Sequence, residues 1–199
     1  MFTGIIEETG IIAEKISNLD GIELIIHADK VLEDLKVNDS VACSGICLTV
    51  TKLMDRSFVV QLVEETIYRT TAKLWNVNTK INLERSLLPT TRLGGHFVQG
   101  HVDTVIKIND IRKKDESAVW DFELTDNIKN YVIEKGSISL DGISLTIAKK
   151  FEDCFSVALI PHTLDITTWG EKNIGDFINV EVDMMAKYLE NFIGNKNAV

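Results

Sequence analysis

Gly45-Ile46-Cys47-Leu48-Thr49-Val50 and Gly142-Ile143-Ser144-Leu145-Thr146-Ile147 are one six-residue pattern written twice, 97 positions apart (45 to 142). Holding that offset pairs Ser40 with Ser137, Phe58 with Phe155, Leu62 with Leu159 and Thr66 with Thr163. It continues without a gap through Thr70-Thr71 and Thr167-Thr168, Asn82 and Asn179, Glu84 and Glu181. One residue of slippage aligns the starts, setting Gly4-Ile5-Ile6-Glu7 against Gly100-His101-Val102-Asp103. The period is too long for a solenoid repeat, so the chain reads as two tandem domains of one fold joined near Leu93-Gly94-Gly95. The expected division is 1–95, 96–185, and an unrepeated C-terminal helix and tail at 186–199.

Within each half the runs are short and rich in β-branched residues: Ile22–Ile26, Ser40–Thr51, Phe58–Val63 and Lys80–Leu83, separated by Asp, Asn, Gly and Ser. That is the pattern of an all-β barrel. Asp29–Leu35 and its counterpart Asp126–Glu134 read as short helices, each opened by an Asp suited to N-capping. A third helix is expected at Met184–Ile193, where Met185, Leu189 and Phe192 recur at helical spacing. It serves either assembly or the covering of a barrel end.

The 199 residues, 45% of them hydrophobic and 26% charged, suit an ordinary globular protein with enough apolar surface for two small cores. A net charge of −9 argues against attraction to the phosphate backbone of nucleic acid and leaves a small organic substrate as the better fit. Cys43, Cys47 and Cys154 form no C-x-x-C pair, and an odd number of thiols is most simply read as reduced and cytoplasmic. The acidic start gives no sign of an export signal, and no apolar run reaches the roughly 20 residues of a membrane span.

On a strand, Cys47 and Thr49 share one face while Leu48 and Val50 share the other; Ser144 and Thr146 repeat the arrangement. Small hydroxyl and thiol groups beside an apolar wall can hydrogen-bond a flat heterocycle without filling its pocket. The plainer account is a half-exposed strand with ordinary small residues, and the duplication of the pair weighs against it. His96 and His101, five residues apart, point to opposite faces if they lie on a strand, and no Cys or carboxylate stands at a familiar ligand spacing, so no metal is expected. The glycine-rich run Gly94–His101 lacks both the P-loop and dinucleotide patterns and reads as a turn feeding a strand. Lys135-Gly136-Ser137 reads as a helix-ending turn with Gly136 left-handed. Asp183, after Val180-Glu181-Val182, reads as a solvated strand-end carboxylate.

Taken as an ordered set, these motifs resemble the riboflavin synthase family. The residues that carry the likeness are Met1–Glu7, Ser44–Val50, Gly94–Asp103, Lys135–Ile138, Asp141–Thr146 and Pro161–Thr163, and it runs from residue 1 to about 190. The resemblance implies two six-stranded Greek-key barrels and one 6,7-dimethyl-8-ribityllumazine per barrel, with no cofactor. It also implies a homotrimer held partly by the C-terminal helix, an active site shared between neighbouring subunits, and raises association with the lumazine-forming enzyme. Carried over residue by residue, the N-terminal pocket uses Gly4, Ile5, Ile6, Cys47, Leu48, Thr49, Gln61, Leu62, Val63, Glu64, Glu65 and Thr66. The C-terminal pocket uses Gly100, His101, Val102, Lys135, Ser144, Leu145, Thr146, Ala158, Leu159, Ile160, Pro161, His162 and Thr163. Ser144 and Asp183 form the expected catalytic group, assisted by His101, Lys135 and Thr146, with Ser40, Cys47 and Thr49 acting from the N-terminal side.

Two other functions compete. A non-enzymatic lumazine or flavin carrier of the same superfamily would lack the intact C-terminal pattern seen here. A barrel serving only as an interaction module would not need polar pocket residues in both halves.

Overall fold

The computed structural model describes residues 1–18, 21–114 and 117–194. Residues 195–199, part of the expected C-terminal tail, lie outside them. Twelve strands follow the chain: β1 (Glu8–Asn18), β2 (Gly21–His27), β3 (Ser40–Cys43), β4 (Ile46–Met54), β5 (Ser57–Leu62), β6 (Lys80–Arg85), β7 (Thr104–Lys114), β8 (Ser117–Glu123), β9 (Ser137–Leu140), β10 (Ile143–Lys150), β11 (Cys154–Leu159) and β12 (Phe177–Val182). They close into two antiparallel barrels, β1-β2-β5-β4-β3-β6 and β7-β8-β11-β10-β9-β12, as the duplication requires. Even the irregularities repeat. The register shift between Val50 and Lys52 recurs between Ile147 and Lys149, and that between Ile12 and Glu14 recurs between Ile108 and Asp110. Such bulges bend and twist a strand, which closing a six-stranded sheet demands.

Each barrel is filled by its own side chains. Ile12, Leu24, Ile26, Val50, Phe58 and Ile81 pack inside the first, and Ile106, Phe122, Ile147, Phe155, Trp169 and Ile178 inside the second. The second core is more aromatic: Trp120 stacks on Trp169 with ring centroids 5.1 Å apart. Strand alternation directs Ile46, Leu48 and Val50 inward and leaves Cys47 and Thr49 outside, so any ligand belongs on the outer face of a barrel rather than in its lumen.

Ser40–Thr51 is not one strand but the hairpin β3–β4, broken at Ser44-Gly45. The helix expected at Asp29–Leu35 is a single 3-10 turn, Lys30–Glu33, and its counterpart at Asp126–Glu134 is a run of turns without a helix. Asp29 does not cap; its carboxylate pairs with Arg56, and Glu8 of β1 reaches over to accept the amides of Asp29 and Val31. One turn cannot repay helix nucleation, so a capping residue alone does not make a helix.

The helices inside the halves are α1 (Glu64–Arg69) and α2 (Pro161–Ile166), repeat-equivalent and only six residues long. Neither contains a buried residue, so neither shows the apolar period that would reveal it. Thr70 and Thr167 then cap the 3-10 turns Thr71–Leu74 and Thr168–Glu171 by accepting the amides of Ala72 and Trp169. The last helix, α3 (Met184–Gly194), forms where the periodicity places it. No helix among the described residues is long and apolar enough to cross a membrane.

Candidate functional site at the barrel junction

The two quoted hexapeptides start at turns that touch. Ser44 and Gly45 have φ of 44° and 79°, and Asp141 and Gly142 have 48° and 81°; positive φ at both central residues marks a hairpin turn matched to strand twist. A Cβ on Gly45 would stand 2.6 Å from the Gly142 nitrogen, and one on Gly142 would stand 2.8 Å from that of Gly45, so glycine is required at both tips. Around this contact the repeat becomes a local two-fold relation. The Asn82 amide donates to the Asp141 carbonyl (2.9 Å) and its oxygen accepts the Thr168 amide (2.8 Å). Asn179 donates to the Ser44 carbonyl and accepts the Thr71 amide, both at 2.8 Å.

The glycine segments that open each half cross this junction. Gly4 (φ 77°) offers its carbonyl to the Ser144 amide at 2.7 Å, and Gly100 (φ 79°) offers its own to the Cys47 amide at 2.9 Å. A Cβ at Gly4 would come within 2.5 Å of the Ser144 Cβ, and one at Gly100 within 2.6 Å of the Cys47 Cβ. Beyond them, Ile6 belongs to the C-barrel core and Val102 packs on that of the N-barrel. These contacts run crosswise to the order of the chain. Gly4 meets Ser144 and Ile6 the C-barrel core, whereas Gly100 meets Cys47 and Val102 the N-barrel core. Proximity in the chain misleads here because each loop leaves its own barrel before meeting a strand.

On the C-barrel side, β10 presents Ser144 and Thr146 outward, with Leu145 half-buried between them. The Ser144 hydroxyl lies 2.7 Å from His96 Nδ1. His96 is buried, its Nε2 has no hydrogen-bond partner among the described residues, and burial pushes its pKa below the ordinary imidazole value against the opposing charge of Asp183. The imidazole is therefore neutral near pH 7 and paired with a hydroxyl, an arrangement able to take and return a proton. Gly95 permits the approach, since a Cβ there would meet the Thr3 carbonyl oxygen at 2.1 Å and Ser144 Oγ at 2.7 Å.

Sequence reasoning considered His96 only as a metal ligand. The repeat could not flag it, because at the offset that aligns the two starts its partner would precede residue 1. Asp183 is not merely solvated: its carboxylate caps α3 by accepting the Met185 amide at 2.9 Å. Lys135, not Gly136, holds the left-handed conformation (φ 65°), as its counterpart Asn38 does (φ 75°). Asn tolerates that region through its short polar side chain, whereas lysine has no such advantage. Ala158 and Leu159 end β11, Ile160 links it to α2, and Pro161, His162 and Thr163 begin α2; β11 neighbours β10 in the barrel order.

On the N-barrel side Ser40 lies directly opposite Thr49, and Ala42 opposite Cys47, in the β3–β4 ladder. Ser40, Cys47 and Thr49 are thus brought together. Gln61 and Leu62 close β5, Val63 links it to α1, and Glu64, Glu65 and Thr66 open α1. His101 follows Gly100, is itself exposed, and its amide donates to Glu181 of β12. Cys43, one strand away, is fully buried, and desolvation drives its thiol far above the ordinary range.

A separate cleft of about 550 Å³, lined by Thr3, Ile5, Glu84, Arg85, Ser86 and Arg92 among others, opens at the end of the N-barrel. Its lining includes Ile5 but neither Ser144, Cys47 nor the two strand threonines.

A family model described as "Lumazine binding domain" matches the chain twice, at residues 3–86 and 99–183. The riboflavin synthase of Bacillus subtilis (strain 168) is 41% identical over 197 residues, covering 99% of this chain and 92% of that protein. The riboflavin synthase of Schizosaccharomyces pombe (strain 972 / ATCC 24843) is 39% identical over 197 residues, covering 97% and 94%. Among solved structures, LumP complexed with riboflavin superposes with a TM-score of 0.83 at 24% identity, over 92% of this chain and 99% of that one. At that identity the likeness shows the fold.

Proposed function

The chain belongs to the riboflavin synthase family of lumazine-binding proteins, and from that premise we propose that it converts two 6,7-dimethyl-8-ribityllumazine molecules into riboflavin and 5-amino-6-(D-ribitylamino)uracil. The observation that carries this reading is a pair of pockets alike in frame and unlike in chemistry. Both offer an outward strand with a threonine and a crossing glycine carbonyl, but one carries the Ser144–His96 pair and the other Cys47 with Ser40.

The reaction is a dismutation, a transferase step in which one lumazine gives a four-carbon unit to the other, so no outside oxidant or reductant is required. The 7-methyl protons of a lumazine are acidic because the carbanion spreads through the ring, and a neutral imidazole behind a serine hydroxyl suffices to receive one. Ser144, backed by His96, moves protons at the C-barrel ligand; Lys135, Thr146 and Asp183 act from the same side. Ser40, Cys47, Thr49 and His101 act on the ligand of the N-barrel. Holding two rings face to face makes a bimolecular encounter effectively intramolecular, worth up to roughly 7–11 kcal/mol of barrier. Gln61–Thr66 and Ala158–Thr163 hold the ribityl chains.

The two pockets that react are supplied by neighbouring subunits of a homotrimer, the N-barrel of one facing the C-barrel of the next. Support comes from α3, whose Met185, Tyr188, Leu189, Phe192 and Ile193 are all more than half exposed in the single chain. A contiguous apolar face of that kind marks an interaction surface. Residues 186–199 are then the assembly segment, and 1–95 and 96–185 the ligand-binding units. The free thiols and the family membership support a cytoplasmic enzyme, and association with the lumazine-forming enzyme is a further proposal of the resemblance.

Incubating the purified protein with the lumazine alone tests the reading. Two lumazines consumed per riboflavin formed supports it; tight binding without product makes the protein a carrier, and no binding leaves only the duplicated barrel.

A further inference from the structure

Two buried carboxylates have no part in the chemistry above. Glu84 on β6 and Glu181 on β12 are repeat-equivalent and only 4% and 3% exposed. Among the described residues neither forms a salt bridge. What each receives instead is a set of donors from one glycine loop. Glu84 accepts the Thr3 amide (2.7 Å) and hydroxyl (2.6 Å) on one oxygen and the Gly4 amide (3.0 Å) on the other. Glu181 accepts the Gln99 amide at 2.6 Å and the amides of Gly100 and His101 at 2.8 Å.

A buried carboxylate without a cation is costly, and it is tolerated only where hydrogen bonds satisfy it. Here it satisfies loop amides that no strand ladder could reach. The held residue is also the one that crosses. Gly4 is gripped by its amide on the N-barrel and delivers its carbonyl to Ser144 of the C-barrel; Gly100 is gripped by its amide on the C-barrel and delivers its carbonyl to Cys47 of the N-barrel.

We propose that Glu84 and Glu181 are positioning residues that act crosswise, each setting the geometry of the ligand pocket on the opposite barrel. The proposal rests on the reading of the two pockets as ribityl-heterocycle sites. A glutamine replacement keeps the volume but turns one acceptor oxygen into an NH2 group facing loop N–H donors, so the loop must move away. Misplacement of about 1 Å is enough to cost roughly 10²-fold in a positioned reaction.

The full-length E84Q and E181Q variants test it with riboflavin as the probe. Protection of Cys47 from iodoacetamide, read by peptide mass spectrometry, reports the N-barrel pocket, and calorimetry on protein already alkylated at Cys47 reports the C-barrel pocket. E181Q should raise the riboflavin concentration that half-protects Cys47 at least tenfold and change the calorimetric site less than twofold; E84Q should do the reverse. Effects confined to each residue's own barrel, equal effects on both pockets, or no effect would overturn the proposal. Amide hydrogen exchange decides it without any ligand: E84Q should accelerate residues 3–5 and spare 99–102, and E181Q the opposite. If riboflavin neither protects Cys47 nor gives heat in the wild type, the functional reading fails while the exchange result still judges the positioning. Should a glutamine variant not fold, Glu84→Asp and Glu181→Asp keep the charge, withdraw it by one methylene and carry the same readouts.

Discussion

Asn82 and Asn179 grip the barrel junction reciprocally, each donating to a turn carbonyl of the other barrel and accepting an amide from its 3-10 turn. Both side chains are at most 1% exposed. Replacing either by alanine strands one buried N–H and one buried C=O. With roughly 1–3 kcal/mol for each unsatisfied group, Asn82→Ala or Asn179→Ala should cost about 2–6 kcal/mol in equilibrium unfolding. The double variant should lose less than the sum, because both residues hold one interface. A single-variant loss below about 0.5 kcal/mol would mean that water fills the gap.

Ser144→Ala should lower turnover by roughly 10²–10⁴-fold, the range of a lost proton-transfer group, with ligand affinity changed only a few-fold. His96→Gln should fall in the same range, and the double variant should be little worse than either alone, as for groups acting as one unit. Near-normal turnover in both single variants would remove the pair from the mechanism.

His96 also predicts a pH dependence. Its folded-state pKa lies below the ordinary value of about 6.5, so between the two values the unfolded chain binds the proton and the folded chain does not. Its contribution to stability is therefore constant above about pH 6.5 and is lost as pH falls below it. Unfolding curves of the wild type and His96→Gln should converge on the acid side, and parallel curves at all pH values would show that His96 does not titrate in the way its burial requires.

Lys135→Gly should separate stability from activity. Relieving a left-handed non-glycine residue should raise stability by about 1 kcal/mol, while loss of the ammonium group proposed to serve the C-barrel ligand should reduce turnover. Thermal unfolding and steady-state kinetics on the same preparation check both; a variant that is less stable would show that the lysine side chain is holding the turn.

If the proposed trimer is held by α3, removing residues 184–199 should leave only monomers and abolish turnover while the barrels stay folded and able to bind ligand. Sedimentation velocity and the product assay are the measurements. An active monomer would show that the two reacting pockets do not come from different subunits.

The fold was legible in the sequence because duplication is a one-dimensional property. A constant offset from Ser40 to Glu181 required two copies of one domain, and short β-branched runs required barrels. Alternation along β4 and β10 likewise assigned Cys47, Thr49, Ser144 and Thr146 to outward positions before any coordinates, since a strand's period of two needs no tertiary information. The six-residue helices α1 and α2 were not legible, because less than two exposed turns carry no apolar period. Nor was the left-handed Lys135, where residue type pointed to its glycine neighbour. Only the tertiary structure decided which glycine loop completes which pocket and that His96 meets Ser144. Those contacts join residues 140, 53 and 48 positions apart at the barrel junction, and the two glycine loops are held there by buried hydrogen bonds to Glu84 and Glu181 beside the Asn82 and Asn179 grips rather than by any pattern along the chain.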